Sequence, residues 1–504
     1  MDNKHYEYLV RSLELDAEAN PAVFRSRVVL VSAAAYVALA VTLALAAVLA
    51  ALGVHYAQQS GRAFLLLQLG LAGLVVLGIL YTVLRAFLTR LGPPEGREIT
   101  RAEAPRLFEL LDRIRGKLAG PPIDRVVIDR QFNAAIAQVP RFGLFGGHRN
   151  HLVLGLPYLY AMSPRETAAT LAHEYGHLAG AHGKLGAWVY RQRLTFGALM
   201  DKVRDTEGNW LNGLLHAGLR RFAPYFNAYT FVLSRQDEYQ ADTAASQVAG
   251  ADANASGLCR GELIGRWIAE EFWPRLYAQA DTHPQPLFMP YSAMRTAFSA
   301  TYADWSTEAR LQGALQRKSD LHDTHPCLRE RLDAIGQAPA LPPPVAHNAA
   351  DALLGPLAAT IAREFDAAWW SDARADWQAH YRERRDHLQT IAELGPRPPA
   401  SLSPFEAQEL GSALMACERA PEARPVFEHL LARSDGPFPR ARMMYGQLLV
   451  DAEDARGVEE LARAAKEDPR LAQQCAEYGY VFLRQAQGGE AAAQWADEVM
   501  RTRA

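Results

Sequence analysis

The sequence predicts an α+β fold that is mostly α. Three observations predict it: two long charge-free apolar runs near the N-terminus, short strand-like runs followed by helical periodicity in the middle, and a spaced glycine pattern towards the C-terminus. At 504 residues the chain is too long for one ordinary core, so two or three domains are expected.

The first apolar run, Val28 to Val54, holds no charged residue over 27 positions, and the second, Phe64 to Leu84, holds none over 21. Each is at least as long as the roughly 20 residues an α-helix needs to cross a bilayer. They predict a transmembrane helical hairpin over 28–85, preceded by a cytoplasmic segment, 1–27. A signal peptide would be shorter, start earlier and lack the acidic residues before it. A hairpin buried in a soluble domain would usually carry polar positions. Lys4, Arg11, Arg25 and Arg27 precede the first run and Arg85, Arg90, Arg97 and Arg101 follow the second, with Arg62 between them. The positive flanks place the N-terminus and everything after residue 85 on the cytoplasmic side of a cell (inner) membrane, as a multi-pass protein.

After a Gly/Pro linker at Leu91–Gly96, Leu107, Leu110, Leu111 and Ile114 recur at helical spacing. Pro121-Pro122 ends that helix, and Arg125-Val-Val-Ile-Asp alternates as a strand. Two further strands are expected from Asn133 and from His151, around the Gly-rich stretch Phe142–Gly147. Ser163, Pro164 and Glu166 then form a helix-start signature, and the helix runs on to His177. A small sheet followed by helices makes 92–337 an α+β domain. The Pro-rich stretch 338–345 reads as a break, followed by a helical linker region over 346–400 whose Trp369, Trp370 and Trp377 are read as packing residues. In 402–504, Leu410-Gly411, Tyr445-Gly446 and Tyr478-Gly479 are spaced 35 and 33 apart, with Ala423, Val458 and Ala491 twelve residues after the glycines. That pattern resembles tetratricopeptide (TPR-like) repeats, with a plain helical bundle as the other reading.

Net charge is −3 and no long run of Lys or Arg occurs, so no nucleic-acid partner is expected. Cys259, Cys327, Cys417 and Cys475 stand far apart, which suggests neither a zinc ribbon nor a disulfide framework.

His173-Glu-Tyr-Gly-His177 is an HExxH motif. On a helix, spacing of four puts both imidazoles on one face, where they can grip a single zinc ion, and Glu174 lies beside the metal as a catalytic base. A catalytic zinc needs three protein ligands and an open position. Ser234-Arg-Gln-Asp-Glu238-Tyr-Gln-Ala-Asp242 supplies Glu238 as the third ligand and, one turn on, Asp242 to accept the free ring N–H of His173. His182, five residues after His177, turns away from that face. His322 and His325 are not a second metal pair, because Pro326 interrupts the helix such a pair would need.

HEYGH, SRQDEYQAD and Thr324-His325-Pro326-Cys-Leu-Arg-Glu-Arg331, in that order after a pair of apolar spans, resemble the signatures of HtpX-like and CAAX-prenyl-protease-like zinc endopeptidases over about residues 28–335. The resemblance implies a zincin-type metalloprotease domain with one Zn2+ per chain on His173, His177 and Glu238, and Glu174 as base. It further implies that His325 stabilises the tetrahedral intermediate, that Arg331 lines the site, and that Asn133 begins the edge strand where an extended protein or peptide substrate pairs. Two spans cannot build the enclosed chamber of the prenyl proteases, so CAAX processing is not expected. The stretch Leu185 to Leu233 carries Arg191, Arg193, Lys202, Arg204, Arg220 and Arg221, and reads as amphipathic, resting on the membrane. The expected function is a membrane-anchored zinc metalloendopeptidase in membrane-protein quality control, with the C-terminal repeats holding a partner or substrate tail. The alternatives are a non-catalytic membrane scaffold and a chaperone-like binder that works through the repeats.

Overall fold

A computed structural model describes residues 3–60, 94–140, 148–179, 189, 210–319 and 325–501. The chain divides into two compact units, Met1–Trp273 with Phe288–Trp369, and Pro274–Leu287 with Trp370–Ala504.

The first unit opens with helices α1 (Asn3–Ala19) and α2 (Pro21–Ser60). Among the described residues no helix is long and apolar enough to cross a membrane. The expected transmembrane hairpin is therefore not carried by the structure. Its second span, Phe64 to Leu84, lies outside the described residues, and its first falls within α2.

A four-stranded sheet follows, from β1 (Arg97–Ile99), β2 (Arg125–Asp129), β3 (Ala134–Pro140) and β4 (His148–Gly155), in the order β1-β2-β4-β3. β2 and β4 are parallel, and the other two pairings are antiparallel. β1, three residues long, was not expected, since so short a segment shows no period. Between β1 and β2, α3 (Pro105–Leu118) starts on a proline and buries Leu107, Leu110, Leu111 and Ile114 along one stripe. Val126 and Ile128 of β2 and Leu152 and Leu154 of β4 are buried, as the two central strands require.

From β4 the chain passes through the buried helix α4 (Leu156–Ala161) into α5 (Pro164–Ala179), the helix that carries HEYGH. The expected start of α5 is present as a reciprocal cap. Ser163 N–H donates to Glu166 Oε2 at 2.8 Å, and Glu166 N–H donates to Ser163 Oγ at 3.3 Å. The sequence does not reveal that Glu166 is also one half of a buried ion pair. Arg260 of α7 (Ala251–Trp267) brings its Nε within 3.0 Å of both carboxylate oxygens, and both side chains are almost fully buried. The Pro-rich stretch 338–345 lies against this corner, where Pro343 O accepts from Arg260 at 2.6 Å.

The long helix α6 (Trp210–Ala249), which contains Pro224, packs along α5. Residues 180–188 and 190–209, including His182 and about half of the stretch read as amphipathic, lie outside the described residues. Within α6, Ala228, Phe231, Val232 and Leu233 face α1 and α2 in an apolar cluster with Val10, Leu13, Phe24 and Val28. The described end of that stretch is thus buried against protein. The unit is completed by α8 (Pro290–Ala300), α9 (Glu308–Leu315), α10 (Leu328–Ala334), α11 (Ala349–Leu354) and the first part of α12 (Pro356–Leu394).

The second unit takes the rest of α12 and three helix pairs. These are α13 (Pro404–Ala416) with α14 (Ala420–Leu431), α15 (Pro439–Asp451) with α16 (Arg456–Glu467), and α17 (Ala472–Gln487) with α18 (Gly489–Arg501). The spaced glycines sit inside the first helix of each pair rather than opening it, and they do the same job in each. A side chain at Gly411 would strike the Phe427 ring, at Gly446 it would strike Leu461, and at Gly479 the Trp495 ring. The recurring glycine therefore marks the contact that closes each pair. Trp377, read as a packing residue, is buried and donates its indole N–H to His283 O at 2.9 Å.

Candidate metal centre

α5 and α6 approach closely at one point. A Cβ on Gly176, the fourth residue of HEYGH, would lie 3.1 Å from Ala241 Cα and 3.2 Å from Ala244 Cβ. Gly176 has no side chain to hold the helices apart, so residues beside it and one turn away can meet across the two helices.

Those residues are His173, His177 and Glu238, whose ligand atoms all lie within 4.8 Å of one another. His173 Nε2 and His177 Nε2 are 3.1 Å apart. Glu238 Oε2 is 3.5 Å from His173 Nε2, and Glu238 Oε1 is 3.4 Å from His177 Nε2. His173 Nδ1 is 3.0 Å from Asp242 Oδ1, and Arg331 of α10 grips the same carboxylate, Nε to Oδ2 at 2.8 Å and Nη2 to Oδ1 at 2.6 Å. Asp242 is fully buried. With Nδ1 committed to Asp242, His173 aims Nε2 at the point that His177 and Glu238 also face.

The donor set fits a divalent cation. Two imidazoles and one carboxylate are the chemistry of a three-ligand catalytic site, and Glu238 Oε2 is buried with no hydrogen-bond partner among the described residues. The local field also favours positive charge there. Burial pulls the His173 imidazole down, but Asp242 and Glu238 raise it to about 9. Burial raises the Glu238 carboxyl, and His173, His177 and His325 outweigh it and hold the group far below the usual carboxylate range. Residues that stabilise an imidazolium in this way will stabilise a metal ion that displaces its proton.

The other expected residues fall around this point. Glu174 is half-buried, and its Oε2 accepts the backbone N–H of Ile136 on β3 at 3.3 Å. His325 is exposed, with Nδ1 3.2 Å from Glu238 Oε1. The structure thus places its ring against the carboxylate of the ligand set. His322 lies outside the described residues. Asn133 precedes β3. Its carbonyl accepts Gly155 N–H at 2.8 Å, so its backbone faces β4, and its side chain accepts Ala134 N–H at 2.8 Å. Alternation along an antiparallel pair then turns Ala134, Ile136 and Gln138 to the outer edge. Among the described residues that edge is unpaired, and it is the edge that faces Glu174.

Gly176, Ile136 and Arg235 carry no functional signal in the sequence alone. Gly176 and Arg235 stand inside quoted motifs, but their importance is a matter of contact rather than of residue type. Ile136 acts through its backbone, which leaves no signal in the sequence.

Residues 142–338 match the profile of Peptidase family M48. The matched stretch contains HEYGH, Glu238, Asp242, His325 and Arg331, and so places an M48 metallopeptidase domain on the site described above. No curated protein and no solved structure matches the chain.

Proposed function

We propose that this metallopeptidase is a membrane-anchored zinc endopeptidase of the HtpX-like kind, acting on misfolded or unassembled membrane proteins from the cytoplasmic side. The observation that carries the hydrolytic reading is the convergence of His173, His177 and Glu238 beside Glu174, against the unpaired edge of β3.

His173, His177 and Glu238 would hold the zinc. Bound there, it would supply Lewis-acid polarisation of the scissile carbonyl and lower the pKa of a water towards about 7. Glu174 takes the proton from the attacking water and passes it to the leaving amine. Asp242 fixes the tautomer and orientation of His173, and Arg331 balances the buried charge of Asp242. His325 donates to the developing oxyanion once its ring leaves Glu238, a contribution typically of about 3 kcal/mol. The substrate lies as an added strand along Ala134, Ile136 and Gln138, its main chain replacing Asn133 and Glu174 as acceptors of the Ala134 and Ile136 N–H groups, with little demand on sequence.

Anchoring is supported by the charge-free run Val28–Val54 and by the exposure of Val37, Val41, Val48 and Leu52 along α2. The helix pairs of residues 404–501 support a holding role for a partner or substrate tail.

The test is zinc content and casein cleavage of detergent-purified wild type beside Glu174→Gln. One zinc per chain in both, with cleavage only in wild type, assigns the peptidase and its base. Zinc in neither removes the metal site and leaves the scaffold reading in front.

A further inference from the structure

The geometry points to the N-terminal helix α1 as a brace for the metal centre, with Glu14 as a positioning residue for the reaction. This rests on the metallopeptidase reading of the site. Residues 1–27 look like a tail leading to an anchor when read as sequence. In the fold, Val10, Leu13 and Ala17 are buried against Ala228, Phe231, Val232 and Leu233 of α6, the helix that carries Glu238 and Asp242.

A charge relay lies beside that apolar seam. Glu14 Oε1 is 3.1 Å from Arg235 Nη1, and the Arg235 side chain is only 12 % exposed. The other end of the same guanidinium pairs with Glu330 of α10, and the guanidinium also lies over the Phe231 ring at 5.7 Å. Glu330 is held further by Ser319 Oγ at 2.8 Å, which in turn accepts Cys327 N–H at 2.8 Å. Arg235 therefore ties three elements together: α1, α6 and the start of α10.

What makes this more than packing is where the two tied elements lead. On α6, Glu238 follows Arg235 by three residues, one helical turn. On α10, Glu330 is followed by Arg331, which grips Asp242 and through it orients His173. The position of α10 relative to α6 decides whether Arg331 reaches Asp242, and Arg235 with its two carboxylates sets that position. A guanidinium shared by two carboxylates is held at both ends. Without Glu14 it keeps Glu330 but is free to swing, and α10 with it. A small misplacement of catalytic groups is costly in rate.

The experiment uses the full chain in detergent, as wild type, Glu14→Gln and Glu14→Asp. It measures kcat and KM on a peptide, the thermal midpoint, and amide hydrogen exchange in 235–242 and 328–334. Glu14→Gln should lower kcat on the order of 10-fold, with KM changed by less than about twofold, and speed exchange in both segments. Glu14→Asp, which keeps the charge, should retain most of the wild-type rate and exchange. Unchanged kcat and exchange in Glu14→Gln would overturn the proposal. So would equal losses in both variants that track a lower thermal midpoint, because that is plain packing. If the wild type neither holds zinc nor cleaves, the peptidase reading fails and exchange alone decides. Faster exchange in Glu14→Gln and not in Glu14→Asp keeps the brace, and no difference removes it.

Discussion

Ile136 donates its backbone N–H to Glu174 at 3.3 Å, joining the outer edge of β3 to the acid that follows the first histidine of HEYGH. Ile136 pairs with Leu152 in the β3–β4 ladder, and alternation from the bond between Gly155 N–H and Asn133 O turns its N–H outward, where Glu174 accepts it. Substrate that pairs with this edge therefore arrives beside Glu174.

The first prediction follows from that bond. Ile136→Pro removes an N–H that the ladder does not use, and an outward position on an edge strand tolerates proline. Metal content should be unchanged while kcat/KM on an extended peptide falls up to about 10-fold, the worth of one main-chain hydrogen bond to substrate. Steady-state kinetics beside metal analysis checks it. An unaltered kcat/KM would place the substrate elsewhere.

Asp242 is fully buried between His173 and Arg331. Asp242→Asn should weaken metal binding about 10- to 100-fold, because the ring of His173 loses its charged acceptor. It should also destabilise the fold by about 3–5 kcal/mol, since Arg331 is left without its counter-charge. Chelator competition and denaturant unfolding measure the two effects separately. Loss of stability with metal affinity intact would reduce Asp242 to a structural partner of Arg331.

Gly176 sets the spacing of α5 and α6. Gly176→Val should push Ala241 and Ala244 away at a cost of about 1–3 kcal/mol, and spread the histidines from Glu238. Metal affinity should drop more than the midpoint of unfolding does. The reverse order would show that the close approach serves packing rather than the site.

His151 lies in β4 and is 3 % exposed, with neither ring nitrogen hydrogen-bonded among the described residues. Burial, helped by Arg125, pushes its imidazole below the usual 6.5. The folded state then binds fewer protons than the unfolded one, so stability is full above about pH 6.5 and is lost as pH falls through the folded value. His151→Phe should flatten that part of the profile. Unfolding free energies between pH 7.5 and about 5 test it, and an identical slope in the variant would remove His151 as the cause.

Much of the metal centre was legible because its rules are local. A helix brings positions four apart onto one face, so HEYGH presents His173 and His177 together wherever the helix lies. The same spacing sets Glu238 one turn from Asp242, and the start of α5 is written in Ser163 and Glu166. The three glycines of 402–504 stood out by their spacing, and each lies where a side chain would strike a neighbouring helix.

Local rules do not say which helices touch. That Gly176 meets Ala241, that Arg260 closes on Glu166, that Arg235 gathers Glu14 and Glu330, and that Ile136 turns its N–H to Glu174 were decided by packing between segments 38 to 221 residues apart. Such contacts depend on burial and on the summed geometry of many side chains, which no single motif encodes. The order of residues thus determined which groups can share a helix face, and the tertiary structure decided what brings those faces close enough to hold a metal between them.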